Sequence, residues 1–229
     1  GYNYVLGNPI RFIDPDGMRV DDWHLFDSEG KYTGSIEAPG EDIGIIVRNG
    51  EDNVVFNFVD PNYVDLLRTT EEIEEGGLPF NDAGEEFIDR VEIVGKFDIK
   101  NELMGSDVFE PGGSSLLKLA NKSRGLDAPL DFSAKGSLLD RSSSLFLIEN
   151  EKGDYIGHDY RNYGNFLWGA ATSILDVGSF EVGMGSNLDV LYHEGTLDSS
   201  DDQKSIKLGR EYSQRMGWHM NSFSGSTAK

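Results

Sequence analysis

The sequence predicts an α+β fold, β-rich and acidic in its first part and helix-rich with one β-hairpin in its second. Three observations carry this expectation. Short apolar runs bounded by turn residues crowd positions 22–59, the mark of strands. From Tyr163 onward apolar residues recur at helical spacing. Between the two, Pro111-Gly112-Gly113-Ser114-Ser115 reads as a linker.

Trp23-His24-Leu25-Phe26, Ile43 to Arg48 and Asn53 to Val59 are the expected strands of the first part. Ser28-Glu29-Gly30 and Asn49-Gly50 separate them, and Asn-Gly is a strong hairpin signal because both residues tolerate positive φ. Tyr63, Leu66 and Leu67 then suggest a helix running into Glu71-Glu72-Ile73-Glu74-Glu75 and ending at Gly76-Gly77. Phe87, Val91, Val94 and Phe97 fit a second helix, although Val91 to Ile99 also reads as a strand. Beyond the linker, Leu116 to Ala120 begins a short helix. Leu145 to Asn150 and Asp154 to Asp159 flank Glu151-Lys152-Gly153 as a hairpin. Tyr163 to Asp176 and Ser200 to Gly217 complete the set as helices. The expected organisation is a terminal motif at 1–18, an acidic β-rich or mixed unit at 19–112, and an α+β unit at 113–229.

Charge follows the same division. The 229 residues carry a net charge of −21, of which residues 1–119 hold −17 and residues 120–229 only −4. An acidic front half repels nucleic acid and anionic membranes at long range, and solvation of the surface accounts for it without any partner. The weak basicity of the second half favours a small substrate over long duplex DNA, which demands many phosphate contacts. At 38% hydrophobic and 27% charged, the composition is that of a globular chain. No window approaches the ~18 apolar residues that a membrane span requires. The absence of cysteine removes disulfides and thiolate metal sites.

Residues 2–18, "YNYVLGNPIRFIDPDGM", resemble the C-terminal end of the Rhs/YD-repeat core. The positions that carry the likeness are Tyr2, Tyr4, Asn8, Pro9, Asp14, Pro15 and Gly17. In that family a variable C-terminal module, commonly a toxin, follows this motif. The resemblance therefore implies an upstream Rhs shell in the same polypeptide. It also implies a secreted effector delivered to a target cell, and a cognate immunity protein.

Roughly residues 116–218 resemble the polymorphic toxin type 44 domain. Gly164-Asn165-Phe166 through Ala171, Gly185 to Asn187, and Asp198 to Tyr212 ("DSSDDQKSIKLGREY") carry this second likeness. Where the family has an acidic residue two before Gly-Asn, this chain has Asn162. Its Asp-Phe-Lys reads Asp131-Phe132-Ser133 here, with Lys135 two further on. The resemblance implies a toxin, with a hydrolase acting on RNA or another phosphate-containing substrate as the expected activity. A hydrolase of a non-nucleic substrate such as peptidoglycan, or a non-enzymatic binding module, are the alternatives.

The candidate catalytic residues are His158, Asp159 and Asp202. His158-Asp159 ends the predicted hairpin just before the Gly164 helix, where an acid–base pair is well placed, and a surface histidine at a strand end is the plainer reading. Asp198 to Gln203 has capping-box spacing and places acids in a first helical turn, which explains it as a cap. The same carboxylates and amide can also bind a metal or hold a polar substrate. Lys135, Arg161, Asn165, Asn187, Asp198 and Gln203 complete the expected substrate-binding set, with Asp201 expected to face elsewhere. No cofactor or metal is called for, and the chain holds no Walker loop, H-E-x-x-H or G-x-S-x-G motif.

Overall fold

Backbone pairing unites strands from both sides of residue 112 in the computed structural model, which describes residues 22–75, 87–105, 109, 132, 138, 140–177 and 200–223. The strands are β1 (Asp22–Phe26), β2 (Tyr32–Glu37), β3 (Ile43–Ile46), β4 (Val54–Phe58), β5 (Arg90–Ile93), β6 (Ser144–Glu149) and β7 (Tyr155–His158). They form one mixed 7-stranded sheet in the order β2-β1-β3-β4-β7-β6-β5. The helices are α1 (Thr70–Glu74), α2 (Lys96–Met104), α3 (Tyr160–Ile174) and α4 (Ser200–Arg215), with 3₁₀ turns at Pro61–Leu66 and Met220–Ser222. The α+β class expected from the sequence is therefore the observed one.

The boundary expected after residue 112 divides the strands by chain position, and the sheet joins them. β4 pairs in parallel with β7, Phe56 opposite Tyr155 and Phe58 opposite Gly157. β5 pairs in parallel with β6, Val91 opposite Leu145 and Ile93 opposite Leu147. The sheet also curls until its two ends touch. Lys31 bridges Arg90, the Tyr32 amide donates to the Asp89 carbonyl at 2.8 Å, and the Val91 amide donates to the Gly30 carbonyl at 2.7 Å. Gly30 makes this closure possible: its φ is +83°, and a Cβ there would collide with the Val91 carbonyl oxygen. Curling pairs one corner of the two edge strands, where an open edge would present unpaired groups.

Local sequence explains where the elements break. Asp60 caps the first 3₁₀ turn by accepting from the Asn62 amide at 2.9 Å, and Pro61 occupies the first position, where no amide is needed. The helix expected from Tyr63 into the glutamates is split, because Leu67 leaves helical geometry to bridge Ile88. Thr69 then restarts it with a capping box to Glu72. The ambiguous stretch from Val91 resolves into both readings: β5 first, then α2 after Gly95. The 145–159 hairpin forms as expected. The Asn150 side chain accepts from the Lys152 and Asp154 amides at 2.8 and 3.0 Å, and Gly153 supplies φ +87°.

β6 lies between two apolar clusters. Leu145 and Leu147 join Phe26, Phe56, Phe58 and Val91 inside the curled sheet. Phe146 and Ile148 point the other way into the helical layer with Ile99, Leu103, Phe166, Leu167 and Ile206. Alternation along the strand sends successive side chains to opposite faces, so a strand with four successive apolar residues, Leu145 to Ile148, fits where both faces are covered.

In that helical layer α3 and α4 cross in close contact. A Cβ on Gly169 would collide with the Ile206 carbonyl, and one on Gly209 with the Phe166 carbonyl. Tyr212 meets Phe166 edge-on with ring centroids 5.6 Å apart. Much of the Gly-Asn-Phe-x-x-Gly and Ile-x-x-Gly-x-x-Tyr pattern thus has a packing origin. The two glycines let the helix backbones approach, and the aromatics fill the space beside them.

Candidate functional site

β4 and β7 run parallel, so their C-terminal ends open on one side of the sheet, and each is followed by an aspartate that caps the next turn. Asp60 follows β4. Asp159 follows β7 and caps α3, its Oδ1 accepting from the Asn162 amide at 2.7 Å. The close α3–α4 crossing brings the first turn of α4 to the same place, carrying Asp201 and Asp202. A cleft of about 350 Å³ lies among them, also lined by Tyr63, Leu66, Ile88, Tyr160, Arg161 and Asn162.

The polar groups on its floor form a chain of hydrogen bonds. Asn162, 3% exposed, donates through Nδ2 to the Tyr63 hydroxyl and, at 2.8 Å, to Asp201 Oδ2. The Tyr63 hydroxyl in turn donates to the Asp159 carboxylate. One turn further along α3, Asn165 Nδ2 donates to Asp202 Oδ1 at 2.6 Å. Burial is the largest influence on Asp159 and pushes its carboxyl up to about 6, with the Asp202 charge adding to the rise against the hydrogen bonds and Arg161. Burial likewise holds Tyr63 well above the ordinary phenol range. At neutral pH the cleft therefore offers a carboxyl poised near its titration point beside Asp202. That pairing suits proton donation and acceptance around one substrate bond.

The sequence-based candidates divide between this cleft and the interior. Asp159, Arg161 and Asp202 line it, and Asn165 orients Asp202 from behind. Gln203 is half-buried in the first turn of α4 and outside the lining. His158 is corrected in its placement: it lies in the interior, outside the lining of this cleft. Only 1% exposed, it sits among Phe166 and Ser205, whose hydroxyl is 3.0 Å from its Nδ1. Burial, with a smaller push from Lys204, lowers its pKa to about 3, so the imidazole is neutral throughout the physiological range. Asp201 is a second correction: expected to face elsewhere, it bonds Asn162 and lines the cleft with Asp202. Neighbouring residues of a first turn point about 100° apart, and the crossing helix offers an asparagine to each. Lys135, Asn187 and Asp198 lie outside the described residues, as does the motif at 2–18.

Tyr63 and Asn162 were not legible as site residues. Tyr63 is 99 residues from its partner Asn162, and only the β4–β7 pairing brings them together. Asn162 had one signal, its place where the resembled family carries an acid. Among the described residues no group of three His, Asp or Glu is arranged to hold a metal ion, and no helix is long and apolar enough to cross a membrane. The chain matches no family model, no curated protein and no solved structure.

Proposed function

We propose that this chain is the C-terminal toxin module of an Rhs-type polymorphic toxin, a hydrolase that works by acid–base chemistry in the acidic cleft. The supporting observation is the convergence of Asp159, raised by burial to about 6, with Asp202 at the crossing of α3 and α4. Asp159 in its protonated form gives its proton to the leaving oxygen of the scissile bond. Asp202, held by Asn165, accepts a proton from the attacking water. Tyr63 and Asn162 position Asp159 and Asp201. The toxin context rests on the two sequence resemblances. In that context an upstream Rhs shell carries the module as a secreted effector, and a cognate immunity protein protects the producing cell.

Growth of bacteria expressing the chain tests this reading. Asparagine caps helices as well as aspartate does, so Asp159→Asn keeps the turn and removes the titratable proton. Expression of the wild-type chain is expected to arrest growth, and Asp159→Asn and Asp202→Asn to restore it with the folded protein present. Arrest that persists in both variants would count against the cleft as the reaction centre.

A further inference from the structure

The lining of the cleft narrows the substrate class, an inference that rests on the acid–base reading above. Among the described residues its charged groups are Asp60, Asp159, Asp201 and Asp202 against Arg161. The Arg161 side chain lies along Tyr160, with its guanidinium 5.4 Å from the ring centroid and Nε donating to the phenol oxygen at 2.9 Å. A polyanion entering here meets a surface of its own sign. RNA, expected from sequence resemblance, is such a polyanion.

A second, independent observation concerns the floor. Asn162 lines the cleft at 3% exposure with its Nδ2 committed to Tyr63 and Asp201, and its Oδ1 is buried with no hydrogen-bond partner among the described residues. An acceptor in that state costs free energy until a donor reaches it. The aspartates around it make a lining rich in acceptors. Tyr160, Leu66 and Ile88 add an apolar wall beside them. Hydroxyl donors on one side, an apolar face on the other and no net negative charge describe a carbohydrate ring.

We propose that the cleft binds and hydrolyses a neutral glycan strand, with Asp159 as acid, Asp202 as base and Tyr160 as the wall against which a sugar ring packs. In the step, the bond from the anomeric carbon to the bridging oxygen breaks, and its electron pair stays with that oxygen, which takes the Asp159 proton. The water oxygen bonds to the anomeric carbon while its proton passes to Asp202. One water is consumed, two shorter glycans leave, and proton exchange with solvent restores the pair.

The test incubates the full chain separately with chitohexaose, with purified peptidoglycan sacculi and with total bacterial RNA, measuring new reducing ends and RNA length. The expected result is new reducing ends from at least one glycan, reduced about 100-fold or more in Asp159→Asn, with RNA intact. Tyr160→Leu is expected to raise KM several-fold while kcat holds. A fall in kcat alone would remove Tyr160 from the binding wall. Asp159-dependent cleavage of RNA with both glycans intact overturns the glycan class and leaves the acid–base reading standing. Glycan cleavage undiminished in folded Asp159→Asn overturns the placement of the reaction. Failure to cut any of the three overturns both.

Discussion

The two ends of the sheet are built from similar residues and are covered differently. β6 and β7 carry helices on one face and the curled-sheet interior on the other, and β6 is buried at every position from Ser144 to Ile148. β1 to β4 are covered on the inner face only. Their outer face leaves Trp23 42%, Val55 52% and Ile36 53% exposed, with Trp23 paired to Ile36 across the ladder. An apolar side chain thus contributes folding energy on either face of β6 but only on the inner face of β1 to β4, although the sequence writes both as apolar strands. The cleft lies at the seam, where β4 of the half-covered region meets β7 of the fully covered one.

Cutting the chain at that seam is expected to have the largest effect. Residues 113–229 expressed alone lose β4 and β5, which flank the β7–β6 hairpin on both sides and help bury Leu145 and Leu147. Thermal unfolding followed by circular dichroism should show no cooperative transition in that fragment. A sharp transition would mean that the helical layer alone sustains the fold.

Single substitutions then contrast the two regions. Phe146→Ala in β6 removes a fully buried ring and is expected to cost about 3–5 kcal/mol in urea unfolding. Val55→Ala, on the outer face of β4, should stay within about 0.5 kcal/mol. Similar losses at the two positions would show that something covers the outer face after all. Gly209→Ala tests the helix crossing, where the added methyl meets the Phe166 carbonyl, and overpacking of this kind costs about 1–3 kcal/mol or more. A crossing that loosens should also lower activity, because it carries Asp202.

Titration at the seam has two opposing contributions. Asp159 has a folded pKa raised from 3.8 to about 6, so its contribution to stability is fully present below the unfolded value and is lost as pH rises through 6. His158 has a folded pKa lowered from 6.5 to about 3, so its contribution is present above 6.5 and is lost as pH falls toward 3. At pH 7 Asp159 is ionised against its environment, and a shift of this size corresponds to roughly 3 kcal/mol. Asp159→Asn is therefore expected to stabilise the protein at pH 7, by an amount up to that figure, while abolishing activity. Melting temperatures measured from pH 4 to 8 decide the sign. Under the proposed acid–base reading, turnover by the wild-type chain should fall above pH 6 as Asp159 loses its proton.

The smallest effect separates two adjacent aspartates. Asp202→Asn should lower kcat by about 100-fold, whereas Asp201→Asn keeps an acceptor for Asn162 and should lower it only a few-fold. Equal losses would assign both carboxylates to the reaction.

Sequence alone determined what is local in this protein. The hairpin around Gly153 and the helices from Tyr163 and Ser200 depend on residues a few positions apart, and periodicity and turn chemistry report those directly. It also singled out Asp159, Arg161, Asn165 and Asp202. Tertiary structure decided the rest. Whether Tyr63 meets Asn162, whether His158 faces solvent or Phe166, and whether Asp201 shares the cleft all follow from the β4–β7 pairing and the glycine-mediated helix crossing. Such contacts join residues tens of positions apart, and burial is a property of the assembled sheet and helices. A histidine at a strand end reads the same in sequence whether a helix covers it or not.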